Sequence, residues 1–542
     1  MNFMRPLAAI ITAMLFGFAA SVGNAAARSE ILFVPHDDRP VSFSQTVQVI
    51  EAAGYKVLTP PAELLSKSPN EAGDADKLWE WLEENAPKAE AAVISSDSLL
   101  YGGLIPSRKH EIPAEKIAER LEKFKELRRL NSYMRIYVFA SLMRTPSMGV
   151  AGHNEEPEYY VEYGADFFNL TRLTEKKELY GLTGDEEQLL TELDAKIPPE
   201  IKTDWFGRRA KNLNNTKKLV DYLKKGSFDY LLVGRDDNAP LCQTHRENRE
   251  LTAYAEQKKL PRNAFRSLAG IDEFNLLLLN RAVNDLAHEI PFVCVRYNRG
   301  PGGDTVPAFS DEKISASVDT ALSVAGAMRV SLPRRADFVL LVNTPADGDT
   351  TRDMQIYPGD FGFRLDKTEK IDGNTKYFVA LTEEYLNEGC PVGIADIKYT
   401  NGADNALMKL LQKKDLLFRL QAYAGWNTAC NSVGFALGTG MFTPKMSEEA
   451  KNELLLVRYL DDWAYQSNVR PTVGRELVQK FGNIERYYNL GKGEELSFAQ
   501  DRNTEMLRLF AAKNFPNLPY LQKLKVKNPW IRMFECYVEF SK

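Results

Sequence analysis

Residues 229–237 read DYLLVGRDD, a short apolar run that ends on Gly234 and Arg235 and is followed at once by two carboxylates, Asp236 and Asp237. An apolar run this short, bounded by polar residues, has the pattern of a strand buried on both faces. The same grammar recurs along the chain. His36-Asp37-Asp38-Arg39 follows ILFVP, Asp97 follows AAVISS, Asp272-Glu273 follows SLAGI, and Asp396 follows PVGIA. Strands are predicted at 31–35, 55–58, 91–95, 135–140, 230–234, 266–269, 292–295, 338–342, 392–395 and 420–423, separated by amphipathic helical stretches. That alternation predicts an α/β fold with a mainly parallel sheet. More than eight strands are counted. The arrangement expected is a (β/α)-barrel-like parallel sheet with extra strands, and the alternative is two doubly wound, Rossmann-like halves meeting near Gly302.

Three departures punctuate the pattern. A charged, helix-patterned insertion at 155–225 follows the fourth strand, where it can form either a lid or a separate helical subdomain. The stretch 299–307, RGPGGDTVP, reads as a loop. Beyond residue 440 the alternation stops, so 28–440 is read as the α/β core and 441–542 as a helical C-terminal module ending in an aromatic tail at 528–540. The N-terminus has the form of a secretory signal: Arg5, an apolar run from Leu7 to Val22, and small residues to Ala27. Cleavage near Ala27 is expected, leaving an exported, periplasmic or secreted protein with no stable membrane insertion.

Composition narrows the partners. A formal charge of −5 on 542 residues, with neither a polybasic tract nor an acidic tail, argues against nucleic acid or membrane as partner and leaves a neutral or modestly charged ligand. The acidic strand ends add the expectation of a carbohydrate or other small-molecule substrate. The five cysteines are odd in number and far apart, so no disulfide framework or CxxC metal site is read from them. There is no HExxH, no GxSxG elbow and no GxxxxGK[ST] loop, and the HDD at residues 36–38 lacks the paired-His motif of carbohydrate deacetylases. No cofactor and no metal is assigned.

In parallel sheets ligands bind at the carboxyl ends of strands, so acids distant in sequence are expected to converge on one rim. A single Asp in such a place is often a helix N-cap; the repeated pairs favour a functional rim. Asp236 and Asp237 are the candidate catalytic pair, one carboxyl with a raised pKa protonating a leaving group while its neighbour assists, with Asp272 and Glu273 as the alternative pair. The expected substrate-binding residues are Asp37, Asp38, Arg39, Asp97, Arg108, Arg144, Asp396, Asn401, Asp404, Trp426 and Asn427. Trp426 is read as a sugar-stacking face, although a buried Trp fits the sequence equally well. A glycoside hydrolase of N-acetylhexosamine type follows, with two rivals: a carboxylate-metal hydrolase using Asp37, Asp38, Asp97 and Asp236, and a non-catalytic glycan-binding protein.

The ordered series PHDDRPVS, TPPAELL, DSLLYGGLIPSR, RDDNAP, AGIDEFNLLLLNRA, ADIKYTNGAD, YAGWNTACNSVG and PWIRMFE resembles the bacterial DUF4127 family, from about Ile31 to Glu535. Asn238 stands where a Thr is expected after the DD pair. The resemblance implies one continuous family unit and an often secreted bacterial protein, without implying a reaction.

Overall fold

The computed structural model describes residues 30–147, 154–261, 263–351, 371–482, 485–516 and 521–540; the expected signal segment 1–27 lies outside them. Among the described residues, no helix is long and apolar enough to cross a membrane. All five cysteines are buried and unpaired.

The strands are β1 (Glu30–Val34), β2 (Lys56–Leu58), β3 (Ala91–Ser95), β4 (Arg135–Leu142), β5 (Tyr230–Arg235), β6 (Phe265–Ala269), β7 (Phe292–Tyr297), β8 (Met328–Val330), β9 (Phe338–Asn343), β10 (Val392–Asp396), β11 (Ala422–Ala424), β12 (Leu524–Lys527) and β13 (Tyr537–Phe540). Each of the ten predicted strands is present. The additions are β8, a three-residue edge strand with two exposed positions, and the antiparallel β12–β13 hairpin. Neither carries a long apolar run, which is why neither stood out in the sequence.

The protein is α/β, but its strands form two open parallel sheets rather than a closed barrel. Their orders are β2-β1-β3-β4-β5-β6 and β8-β7-β9-β10-β11. This corrects the barrel-like expectation in favour of the doubly wound alternative. A barrel needs strands added in one rotational sense, whereas here each sheet grows in both directions from its first strand, and so covers both its faces with helices. Apart from β6, a sixth strand that the second sheet lacks among the described residues, the two sheets follow one plan, each with a topological switch beside its first strand.

Strand periodicity divides the core. On β1, Ile31 and Phe33 face a central cluster, while Leu32 and Val34 face an outer one. On the second sheet Leu340 and Val342 join the same central cluster, whereas Val339 and Leu341 pack toward the C-terminal module. The result is a five-layer stack of helices, sheet, helices, sheet and helices. Its middle layer contains Ser44–Ala52, Phe274–Ala287, Ile314–Val324 and Ala429–Phe442. Leu276, Leu277, Leu278 and Leu279 are all fully buried, because a helix between two sheets has no solvent face. Burying each contributes roughly 1.5–3 kcal/mol.

Two glycines let the halves approach. A Cβ at Gly434 would lie 2.4 Å from Cβ of Glu273, and one at Gly438 would lie 2.6 Å from Cγ of Leu276. Helix Ala429–Phe442 therefore lies almost backbone to backbone on Phe274–Ala287, and Asn280 Nδ2 donates to the carbonyl of Gly438 at 3.1 Å.

The expected insertion splits in two. Helices Tyr160–Tyr180 and Gly184–Lys196 pack on the start of Pro199–Lys224 around Tyr160, Phe167 and Trp205. The rest of Pro199–Lys224 is the crossover helix between β4 and β5, with Leu219, Val220 and Leu223 in the outer core. The boundary at 225 thus included an ordinary sheet-covering helix, since helical periodicity is the same on both sides of the junction.

Candidate active site

The carboxyl ends of both sheets lie on the same side of the molecule and touch. Asn427, after β11, donates from Nδ2 to Asp272 Oδ2, after β6, at 2.9 Å. Asn427 and Asn401 both adopt positive φ, and the Asn401 amide donates to the Asn427 carbonyl at 3.1 Å, joining two turns of the second sheet to the first.

His36, fully buried at the end of β1, is the hub of the first rim. Its Nε2 lies 3.0 Å from Asp272 Oδ1 and 2.9 Å from Ser42 Oγ. Arg39 closes the group, donating from Nε to Asp37 at 2.9 Å and from Nη2 to Asp272 at 2.7 Å. Burial alone would raise the Asp272 carboxyl, but Arg39 and His36 outweigh it and hold it well below the usual carboxylate range. Asp272 is therefore a fixed anion.

Next to this group stands an arginine–carboxylate lattice. Arg108, on helix Leu104–Lys109, donates to Asp236; Arg144, just beyond β4, donates from Nη1 to Asp237 at 2.7 Å and from Nε to Glu156 at 2.6 Å. The backbone that carries Arg144 is itself pinned. Buried Arg209 donates to the carbonyls of Arg144 and Met143 at 2.9 and 2.7 Å, while Glu247 holds its other donors. Asp237 sits at φ 37°, a conformation a non-glycine residue adopts only when its surroundings compel it. Burial, then the neighbouring Asp237, pushes the Asp236 carboxyl up to about 6 against the pull of Arg108 and Arg144. Burial also lifts Asp97 to about 7, although its Oδ2 accepts the Ser141 amide at 3.1 Å. Carboxylates outnumber guanidiniums here, which is why some carboxyls retain protons near neutrality while others cannot.

The C-terminal tail completes the rim. Trp530 Nε1 donates to Asp38 Oδ1 at 2.7 Å, and the indole is flanked by Arg39 and Arg532, 5.2 and 4.9 Å from its centroid. Burial raises Asp38 to about 6 despite that hydrogen bond. Arg532 binds Glu535 and Glu155. Trp530 and Ile531 both have positive φ, so the tail is held in its turn by these contacts against local backbone preference.

The second rim is built differently. Asn298 donates to Asn343 at 2.9 Å, and Asn343 donates to Asp396 at 2.8 Å. Asp396 also accepts the Asp404 amide at 2.7 Å and the Tyr423 hydroxyl at 3.0 Å. Asp404 caps helix Asn405–Lys413 and takes Lys398 Nζ at 2.9 Å. Burial and then Asp404 raise Asp396 to about 7. Asp462, from the π-helical stretch Tyr459–Val469, accepts the Gly425 amide at 2.8 Å.

Of the candidate residues, Asp37, Arg39, Asp272 and Asn427 meet around His36, and Arg108, Arg144, Asp236 and Asp237 meet around the lattice. Asp38 lies under Trp530, and Asp97 lies behind the rim beside β4. Asp396, Asn401 and Asp404 belong to the second rim. Trp426 is 5 % exposed and packs on Phe534 at 5.5 Å, so it offers no free face, correcting its reading as a stacking platform. Glu273 does not pair with Asp272 as an acid at the surface. It is buried against Gly434 and Gly270, neither oxygen has a side-chain hydrogen-bond partner among the described residues, and burial raises it well above the ordinary range. The acids of the metal-hydrolase rival face four different partners: Arg39, Trp530, the Ser141 amide and Arg108. Among the described residues no group of three or more His, Cys, Asp and Glu is placed to hold a metal ion.

Glu155, Glu156, Trp530, Arg532 and Glu535 were not singled out from the sequence. The PWIRMFE tail and the adjacent glutamates heading the insertion were the available signals. Volume and chemistry part company in this molecule: a groove of about 670 Å³ on the C-terminal module, lined by Thr504, Arg508 and Lys525 among others, includes no rim residue.

Fold and rim together define an α/β protein of two doubly wound sheets whose joined carboxyl ends carry a buried, tail-covered cluster of acids and arginines. The chain belongs to DUF4127, a family described as a protein of unknown function, whose profile matches residues 31–539. No curated protein matches the chain.

Proposed function

We propose that the protein is an exported carbohydrate-active hydrolase, a glycoside hydrolase of N-acetylhexosamine type, with its reaction centre at Asp236 and Asp237. The observation that carries this reading is the unequal treatment of adjacent carboxyls at the end of β5. Asp236 is half-buried and raised to about 6, within reach of Arg108, while Asp237 is fixed by Arg144 in a strained turn. An acid raised to that range holds a proton to give and loses it readily near neutral pH.

In this mechanism the substrate's acetamido oxygen attacks the anomeric carbon as the glycosidic C–O bond breaks. Asp236 delivers its proton to the departing oxygen, and Asp237 steadies the acetamido N–H; water then opens the cyclic intermediate and Asp236 recovers its proton. Arg108 and Arg144 keep both carboxyls in place. Export rests on the N-terminal signal pattern.

Chromogenic N-acetylhexosaminides assayed with the unmodified protein, Asp236→Asn and Asp237→Asn test the reading. The expected outcome is turnover by the unmodified protein and a loss of about 10²–10⁴-fold in kcat for Asp236→Asn. Absence of turnover across the sugar panel, or equal rates for the unmodified protein and Asp236→Asn, overturns it.

A further inference from the structure

One carboxylate in the rim is surrounded more completely than the rest. Glu155 is held by three guanidiniums: Oε2 takes Arg144 Nη2 at 2.8 Å and Arg108 Nη1 at 3.4 Å, while Oε1 takes Arg532. Arg108, Arg144 and Arg532 are all buried. Two of them are fixed from the first sheet, Arg108 by its helix and Arg144 through Arg209, whereas Glu155 is carried on the connection leading into the insertion, directly after Asn154 at φ 54°. Two of the three guanidiniums are braced by the first sheet and its helices, and the anion they hold is borne on a loop.

We propose that Glu155 occupies a binding site for the carboxylate of an acidic sugar, and that a uronate-type substrate group exchanges with it. The proposal rests on the reading of this rim as a carbohydrate site and adds the charge class of the substrate. Exchange of one carboxylate for another leaves the charge of the lattice unchanged, so it avoids the cost of stranding three buried guanidiniums. A carboxylate is specified because three guanidiniums share the two oxygens of one carboxyl group, each through a single nitrogen. Among the described residues Arg144 Nη2, ion-paired there without a hydrogen bond, keeps a donor to offer an incoming anion. Arg108 and Arg144 also hold Asp236 and Asp237, so the anchored carboxylate would lie beside the proposed reacting acids. Arg532 comes from the tail, which makes the tail part of the anion site as well as its cover.

Binding can be read without turnover, so failure here is distinguishable from failure of the hydrolase reading. Full-length protein, Glu155→Gln and Glu155→Ala are titrated calorimetrically with sodium glucuronate, glucose and sodium sulfate at matched ionic strength. Glucuronate is expected to bind the variants at least about tenfold more tightly than the unmodified protein, because the internal competitor is gone. Glucose should not distinguish the three proteins, and sulfate should bind the variants more weakly than glucuronate does. Equal glucuronate affinity in all three proteins, or tighter sulfate than glucuronate binding, overturns the proposal. Glu155→Gln keeps the volume and one oxygen acceptor should the alanine protein not fold. The unmodified protein supplies an independent measure: glucuronate must raise its melting temperature above that in sodium chloride of the same ionic strength, and no difference between the two salts also overturns the inference.

Discussion

The two sheets share a strand order and differ in what they place at their carboxyl ends. The first rim sets His36, Arg39, Arg108 and Arg144 among carboxylates that come from six separate stretches of chain, including the insertion and the tail. The second rim passes hydrogen bonds along neighbouring strands, from Asn298 through Asn343 to Asp396 and Tyr423. One arrangement accumulates formal charge at the seam between the sheets; the other satisfies buried polar groups mainly with neutral amides, a hydroxyl and backbone N–H groups, with Lys398 on Asp404 as a charged contact. The same topology therefore supports both a reactive edge and a bracing edge, and side-chain chemistry tells them apart.

The sharpest way to break this comparison is to remove one carboxylate from each rim. Asp236→Asn should reduce kcat by about 10²–10⁴-fold on any glycoside the protein turns over. Asp396→Asn should leave kcat within about threefold, since its role is to brace the strand ends. Equal losses would erase the distinction. In stability the contrast falls on the arginines: Arg144→Met takes the guanidinium from Asp237, leaves Glu156 with Arg108 and Glu155 with Arg108 and Arg532, and should cost about 3–5 kcal/mol in urea denaturation. Asp396→Asn loses one or two acceptor bonds and should cost about 1–2 kcal/mol.

Strand positions were legible because parallel strands buried on both faces are short, apolar and sharply bounded; all ten predicted runs are strands. The closure of the sheet was not legible. Strand order is decided by which neighbour each run pairs with, and β1 bears no mark in its own residues that β2 and β3 lie on opposite sides of it. At the site, acids at strand ends could be found by position, and Asp37, Asp236, Asp237 and Asp272 do gather on one rim. Their partners could not all be found in this way. Glu155 lies on an insertion and Trp530 nearly five hundred residues beyond Asp38, and only tertiary folding brings that tail back. Trp426 illustrates the opposite limit: an aromatic beside Asn and Gly reads alike whether it faces ligand or core.

Acidity sharpens the comparison further, since both rims raise carboxyls while only the first also holds one down. Asp97 is lifted to about 7 and Asp396 to about 7, so each native carboxyl keeps a proton that the unfolded chain has released. The folded state then binds more protons across the window from about 4 to 7, and stability falls as pH rises through it. Stability from these protons is complete below the ordinary Asp value and lost above about 7. Asp97→Asn should flatten the slope of unfolding free energy by up to about 1.4 kcal/mol per pH unit within that window. Asp272 has the reverse sign: its contribution is present above the ordinary Asp value and disappears as pH falls through its depressed native value. Asp272→Asn should therefore remove stability at pH 7 and progressively less in strong acid, measured by denaturation at a series of pH values.

The smallest effect expected concerns the tail where it covers the first rim. Trp530→Phe keeps an aromatic surface between Arg39 and Arg532 and deletes the N–H donated to Asp38. Because Asp38 is raised to about 6 by burial, and lowered by this hydrogen bond, the bond favours the ionised carboxylate. The substitution should cost about 1 kcal/mol at pH 8, where Asp38 is ionised, and measurably less at pH 5, where the carboxyl is largely protonated. A loss independent of pH would mean that Trp530 holds the tail by packing alone, and the tail would then be a cover with no electrical link to the acids beneath it.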